Sequence, residues 1–177
     1  MSDFIVYKSR LKQISFVLMG IFLILISVGG GTAGWQEKSW GYVLLGALGV
    51  AFFSFFEFSL IRMFFTGNEL LILTDKGFYD FSSIIATRGK LIPWSSVQMI
   101  QIIHTGRWKY VSVYLKDSEA FAASQSRLRR MINKSNLNGG FGAINITLQL
   151  AKHRDDDEVL KQMEDRLGEY RKQGGEA

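Results

Sequence analysis

Two apolar stretches near the beginning of the chain constrain its fold more than any other feature. Residues 14–34 contain no charged side chain, and the charged residues within 42–65 are Glu57 and Arg62. As a helix, the first stretch would rise about 30 Å, which is the thickness of the hydrocarbon core of a bilayer. The sequence therefore predicts two transmembrane helices joined by an external tip at 35–41.

Positively charged residues predict how this hairpin is oriented. The segment 1–13 carries Lys8, Arg10 and Lys12, whereas the tip carries Lys38 as its single basic residue. Basic residues accumulate on the cytoplasmic side of a membrane protein. We therefore expect a multi-pass protein of the inner membrane with both termini in the cytoplasm. A signal peptide cleaved near "GTAG" is the alternative, although the second stretch would still hold the chain in the membrane.

Glu57 is an intramembrane polar residue that requires an explanation. It lies four residues before Ile61, where the span without basic residues ends, and so about 6 Å below the cytoplasmic end of that span. An ionisable group at such a depth indicates a functional role by default. The structural alternative is that its carboxylate extends to the interface or pairs with Lys12 on the first helix. Close contact between the helices is also predicted, because Gly20, Gly46 and Gly49 leave room for it.

The pattern changes in residues 66–177 to that of a small α+β domain. Short β-branched and aromatic runs separated by turn residues predict strands over 69–74, 78–83, 97–104, 109–116 and 143–150. A helix is predicted over 118–135, and a closing amphipathic helix over 155–172, whose acidic start complements the helix dipole. The side of the closing helix that packs on the sheet would consist of Val159, Met163, Leu167 and Tyr170. We expect a small antiparallel barrel or sheet covered by the closing helix. The segment 1–13 is strand-like, and the sequence leaves open whether it joins the sheet.

Several motifs give the chain a family resemblance. They are "YKS" followed by basic residues, an apolar hairpin, "LTDKGFYD", "LIPWSSVQMIQI", a basic helix and a final helix. In this order they resemble small bacterial membrane proteins with a pleckstrin-homology-like (PH-like) domain after two transmembrane helices. The resemblance covers nearly the whole chain. It implies a PH-like fold for 66–177 and a membrane location, but no particular activity.

Motifs for catalysis or cofactor binding are not found in the sequence. The chain has no Cys, which excludes disulfides, thiolate metal sites and thiol catalysis. His104 and His153 do not stand in a metal-ligand spacing, and "NLNGGFG" lacks the preceding strand and the Lys of a phosphate loop. We therefore expect a protein that is not an enzyme and that has no cofactor and no metal site.

Two basic segments are candidate binding surfaces in a chain whose formal net charge is +5. On the predicted helix 118–135, a spacing of i, i+3 and i+7 places on one face Arg127, Arg130 and Lys134. The apolar side of this helix would consist of Phe121, Leu128 and Met131 or Ile132. The second segment is a turn formed by Arg107, Trp108 and Lys109. Each segment suits a lipid or protein contact, while a solvated helix face and a Trp108 packed on the core are the structural alternatives.

The leading hypothesis is a membrane-anchored, non-catalytic interaction module. Its cytoplasmic domain would bind anionic membrane lipids or a protein partner of unknown identity, but not nucleic acid. This hypothesis allows for a homo-oligomer. The alternative is an immunity protein that protects its own membrane against a toxin. A third hypothesis, an oligomeric channel or transporter subunit, depends on Glu57 alone.

Overall fold

The computed structural model describes residues 2–65, 67–82, 87, 89–153 and 155–175, without the side chain of Leu128. It is a mixed α+β structure with two long apolar helices followed by antiparallel sheets. The chain divides into two compact units. The hairpin unit is Ser9–Asn68, and the sheet unit combines Met1–Lys8 with Glu69–Ala177.

The hairpin unit consists of helices α1 (Arg10–Gln36) and α2 (Trp40–Phe65), both long and apolar enough to cross a membrane. Each helix is longer than predicted. The side chain of Ser9 caps α1 by accepting a hydrogen bond from Lys12 N, so the helix begins before its apolar stretch. At the other end of the hairpin the rings of Trp35 and Trp40 lie edge to face, with 5.5 Å between their centroids. The tip that separates the two helices is therefore very short.

Small residues bring α1 and α2 into close contact. A Cβ atom built on Gly46 would lie 2.6 Å from the Cα atom of Gly31, and one built on Gly49 would lie 2.6 Å from Ser27 Oγ. Gly20 faces the carboxylate of Glu57. The predicted contact at Gly20, Gly46 and Gly49 is therefore confirmed, and the helices approach at distances that larger side chains would prevent.

The first sheet of the sheet unit is antiparallel, and its strands lie side by side in chain order. They are β1 (Phe4–Tyr7), β2 (Glu69–Leu73), β3 (Gly77–Asp80) and β4 (Ile92–Pro93). The segment before α1 therefore joins the sheet, which the sequence left open. The strand predicted over 78–83 ends at Asp80, and Ser83 lies outside the described residues.

The second sheet is also antiparallel, with strands in the order β5 (Val97–Thr105), β6 (Trp108–Leu115) and β7 (Ile144–Ile146). The prediction of a strand over 143–150 was too long. After Ile146 the chain turns, because Ala151 N donates to Leu148 O at 3.0 Å. The turn brings Lys152 N to 2.8 Å from Tyr7 O and so connects the second sheet to β1.

The helix predicted over 118–135 is wrong, because the structure has two helices there, α3 (Ser118–Ala123) and α4 (Arg127–Asn138). Extended backbone at Ser126 (ψ 158°) separates them. The end of α4 lies beyond the predicted position. Phe141 N donates to Asn136 O and Gly140, at φ +80°, donates to Leu137 O, as in a Schellman motif.

An apolar core joins the two sheets to α5 (Asp156–Tyr170). From α5 it receives Val159, Met163 and Leu167, as the helical spacing predicts. Asp155 caps α5 by accepting a hydrogen bond from Glu158 N at 2.8 Å. Trp94 follows the edge strand β4, is 1% exposed and donates through Nε1 to Thr74 O at 2.9 Å.

Candidate functional site

The outward face of α4 combines positive charge with an exposed apolar side chain. Its members, which we call the cationic face, are Arg127, Arg130, Met131 and Lys134, all exposed. Met131 is 64% exposed, whereas the neighbouring Ile132 is half-buried and lines a cavity. Of the two alternatives that the sequence left for the apolar side, the structure therefore selects Ile132, while the side chain of Leu128 lies outside the described residues. The sequence of α4 contains no carboxylate to neutralise these cations.

Within the described part of the chain, Arg130 makes a hydrogen bond to another element, whereas Arg127 and Lys134 do not. The Nη2 atom of Arg130 donates to Ala123 O, the last carbonyl of α3, at 2.7 Å. A cation at a helix C-terminus satisfies a carbonyl that has no partner within the helix. Arg130 thus connects α3 to α4 while its side chain stays exposed. Variants that test binding should therefore change Arg127 and Lys134.

The turn between β5 and β6 does not form a uniform basic patch. Gly106 adopts φ +59° there, and Trp108 is 48% exposed rather than packed on the core. Arg107 is exposed, but Lys109 lies 3.7 Å from Asp157 in the first turn of α5. The contact to Asp157 makes Lys109 part of the link between β6 and α5. Arg107 and Trp108 remain accessible for binding.

Glu57 is buried between the two helices of the hairpin unit. It is 6% exposed, its carboxylate lies against Gly20, and neither carboxylate oxygen has a hydrogen-bond partner among the described residues. The expected pairing with Lys12 is therefore not formed. The carboxylate thus faces the backbone of its own hairpin. Gln13 is also buried, and its amide likewise has no partner within the described part of the chain.

A cavity of about 320 Å³ lies in the sheet unit between α3, α4 and the strands. It has aromatic walls formed by Tyr110, Phe121 and Phe141, and polar walls that include the amides of Asn133, Asn136 and Asn145. The rings of Tyr110 and Phe141 lie edge to face, with 6.3 Å between their centroids. This volume is at the small end of the range for ligand pockets in proteins.

The carboxylate of Asp80, at the end of β3, contributes to the wall of this cavity and is 1% exposed. Ser82 N donates to its Oδ1 at 2.8 Å, whereas Oδ2 has no partner among the described residues. Burial raises the pKa of Asp80 to about 6, although the hydrogen bonds from Ser82 favour the charged form. The site therefore holds a carboxylate that burial has removed from water and that no described residue neutralises.

Asp80 and this cavity were missed by the sequence analysis, although a signal was present. Phe78 and Asp80 lie two residues apart on β3 and thus point to the same face of the sheet, which Phe78 marks as buried. A carboxylate on the apolar face of a strand is the kind of residue that functional sites often contain. The cavity is lined by residues from segments that lie far apart in the chain, so no local sequence pattern predicts it.

Comparisons with known proteins do not assign the chain to a family. No protein-family model matches it, and no curated protein or solved structure matches it either. Within the described ranges, no group of three or more His, Cys, Asp or Glu residues is placed to hold a metal ion. A function must therefore be inferred from the surfaces and the cavity described above.

Proposed function

We propose that the chain is a membrane-anchored, non-catalytic interaction module whose sheet unit docks on an anionic lipid surface through the cationic face of α4. The observation that carries the proposal is the 64% exposed Met131, flanked by the exposed side chains of Arg127, Arg130 and Lys134. An apolar side chain surrounded by cations suits the interface, where it enters the acyl boundary while the charges meet headgroups.

The expected affinity of this contact is modest, but it is sufficient for docking because the anchor holds the sheet unit close to the membrane. Three cations contribute about 3 kcal/mol near an anionic surface, and burial of Met131 adds about 1 kcal/mol. Their sum of about 4 kcal/mol corresponds to a Kd of about 1 mM. A short tether gives an effective concentration in the mM range. The docked and undocked states should therefore be about equally populated, so the docked fraction should change with the charge of the lipid.

The connectivity of the chain supports a hairpin anchor. Because β1 pairs with β2, the segments before α1 and after α2 belong to the same folded unit. Both ends of a membrane-spanning hairpin would then lie on one side of the membrane. Arg10 and Arg62 are at these ends, which supports the cytoplasmic side.

The strand order of the sheet unit supports a PH-like fold. A meander of four antiparallel strands precedes a meander of three, and the closing helix α5 packs on the core. In this assignment the membrane hairpin is an insertion between β1 and β2. The α3–α4 segment, which carries the cationic face, is a second insertion between β6 and β7.

A single labelled position can test the lipid contact, because the chain has no native Cys. We would label Met131→Cys with an environment-sensitive fluorophore in the full chain, in nanodiscs of phosphatidylcholine with and without phosphatidylglycerol. The label should report a less polar environment only with the anionic lipid. Raised salt should reduce this difference, because it screens exposed charges.

Charge reversal provides the matched comparison for this experiment. The variant with Arg127→Glu and Lys134→Glu should lose the response, whereas Lys161→Glu on the exposed side of α5 should keep it. A label at position 131 that is indifferent to lipid charge would contradict the lipid contact. In that case a protein partner would be the remaining form of the module, to be sought by crosslinking in native membranes.

A further inference from the structure

The cavity beside Asp80 contains two buried polar atoms that the described part of the protein leaves without partners. They are Asp80 Oδ2 and Thr147 Oγ1, and both residues line the cavity. Ser82 connects these two residues, because its N–H donates to Asp80 Oδ1 and its Oγ accepts from Thr147 N at 3.1 Å. The orphan atoms therefore belong to one locally fixed arrangement. A buried polar atom without a partner is unfavourable, so this arrangement suits a ligand that supplies donors.

The charge of the cavity limits the chemistry of such a ligand. Among the described residues that line it, Asp80 is the only carboxylate, and none is Lys, Arg or His. An anionic ligand would meet the negative charge of Asp80, which no described lining residue compensates. A divalent metal ion is equally unsuited, because magnesium and calcium sites usually draw on more than one carboxylate or on substrate phosphates. A single positive charge with N–H donors matches the site best.

The aromatic walls of the cavity further restrict the chemical class of the ligand. Tyr110 and Phe141 from the sheet side and Phe121 from α3 line the same space as Asp80. Aromatic faces attract organic cations, and this attraction strengthens when water is excluded. By contrast, neighbouring amides such as that of Asn145 are already engaged, because Asn145 accepts from Ser112 Oγ and donates to Gly142 O.

We propose that this cavity binds a small organic ammonium ion, with the carboxylate of Asp80 as its ion-pair partner and Thr147 Oγ1 as an additional hydrogen-bond acceptor. The volume of about 320 Å³ admits a small molecule with an apolar part that contacts the aromatic walls. The site lies in the sheet unit and uses none of the residues of the cationic face. It therefore adds a second binding activity to the proposed membrane contact.

Two probes of similar shape test the requirement for a positive charge. Benzylammonium and its neutral analogue benzyl alcohol would be titrated onto the full chain in phosphatidylcholine nanodiscs, with empty nanodiscs as reference and a buffer free of amines. We expect benzylammonium to bind with a Kd of about 1 mM or below and benzyl alcohol to bind at least tenfold more weakly. Equal binding of the two, or binding of neither, would overturn the proposal. A cavity that holds only ordered water would give the latter result.

Two substitutions then locate the binding site. Asp80→Asn keeps the size of the side chain but removes the charge, and we expect at least tenfold weaker binding of benzylammonium. The exposed Asp165→Asn on α5 is the matched control and should bind as the unsubstituted chain does. If Asp80→Asn does not fold, Thr147→Val, which replaces the orphan hydroxyl by a methyl group of similar size, should weaken binding several-fold. Unchanged affinity in a folded Asp80→Asn or in Thr147→Val would contradict the assignment.

Discussion

The burial of Asp80 predicts a pH dependence of stability that a single substitution should remove. Its pKa is about 6 in the folded chain and 3.8 in an unfolded one. A carboxyl group whose pKa is raised by folding binds its proton more tightly in the folded state. It therefore stabilises the fold at low pH, and this contribution is lost as the pH rises from about 4 through about 6. The difference between the two pKa values corresponds to about 3 kcal/mol.

Asp80→Asn removes this ionisation while leaving the local hydrogen bond possible. The amide oxygen of the new side chain would still accept the N–H of Ser82, which Asp80 Oδ1 accepts at 2.8 Å. At pH above 7 we expect the variant to be more stable than the unsubstituted chain by up to about 3 kcal/mol. For a chain of this length the gain corresponds to a melting temperature higher by about 6–12 °C. Near pH 4 the advantage should disappear.

The measurement is thermal unfolding of the full chain in a neutral detergent, followed by near-ultraviolet circular dichroism across this pH range. The buffers must contain no amines, because an ammonium ligand would mask the effect. Asp165→Asn, which removes an exposed carboxylate, is the control and should show the pH dependence of the unsubstituted chain. If Asp80→Asn were less stable at high pH, Asp80 would be paired with a cation in the fold, and the reasoning would be refuted.

Two further predictions concern the hairpin. Gly46→Ala should lower the melting temperature in detergent, because its Cβ would lie 2.6 Å from the backbone of Gly31. The control is Gly29→Ala, whose Cβ would have nothing within 4 Å and which should be neutral or stabilising by up to about 1 kcal/mol. Equal effects of the two substitutions on the melting temperature would contradict the close contact between the helices. Replacement of residues 9–68 by Asn-Gly should give a soluble folded protein with native-like circular dichroism, because antiparallel pairing of β1 and β2 brings their ends together. The fragment 66–177, which lacks β1, should be markedly less stable, and equal stability of the two would contradict the pairing.

Local patterns were sufficient to predict those elements whose causes are local. The long apolar stretches predicted α1 and α2, and the spacing of Val159, Met163 and Leu167 predicted the buried side of α5. The ends of the elements depended on individual contacts instead. Examples are the cap from Ser9 and the turn at Leu148, neither of which interrupts the hydrophobic pattern.

Features that depend on distant segments could not be predicted in the same way. The pairing of β1 with β2 joins segments that the whole apolar hairpin separates in the chain, so nothing near Val6 identifies its partner Leu71. The exposure of Met131 and the partial burial of Ile132 follow from the rotation of α4 about its axis within the sheet unit. The periodicity of the sequence allowed either residue to face inward, because the two are neighbours on the helix.

The most direct test of the membrane contact is hydrogen–deuterium exchange of the full chain in nanodiscs with and without anionic lipid. Peptides from α4, Arg127–Asn138, should exchange more slowly in nanodiscs that contain phosphatidylglycerol than in pure phosphatidylcholine. Peptides from α5, Asp156–Tyr170, should be unaffected, because α5 belongs to the core of the sheet unit. Identical exchange of α4 in the two membranes would contradict the proposal that its cationic face docks on anionic lipid.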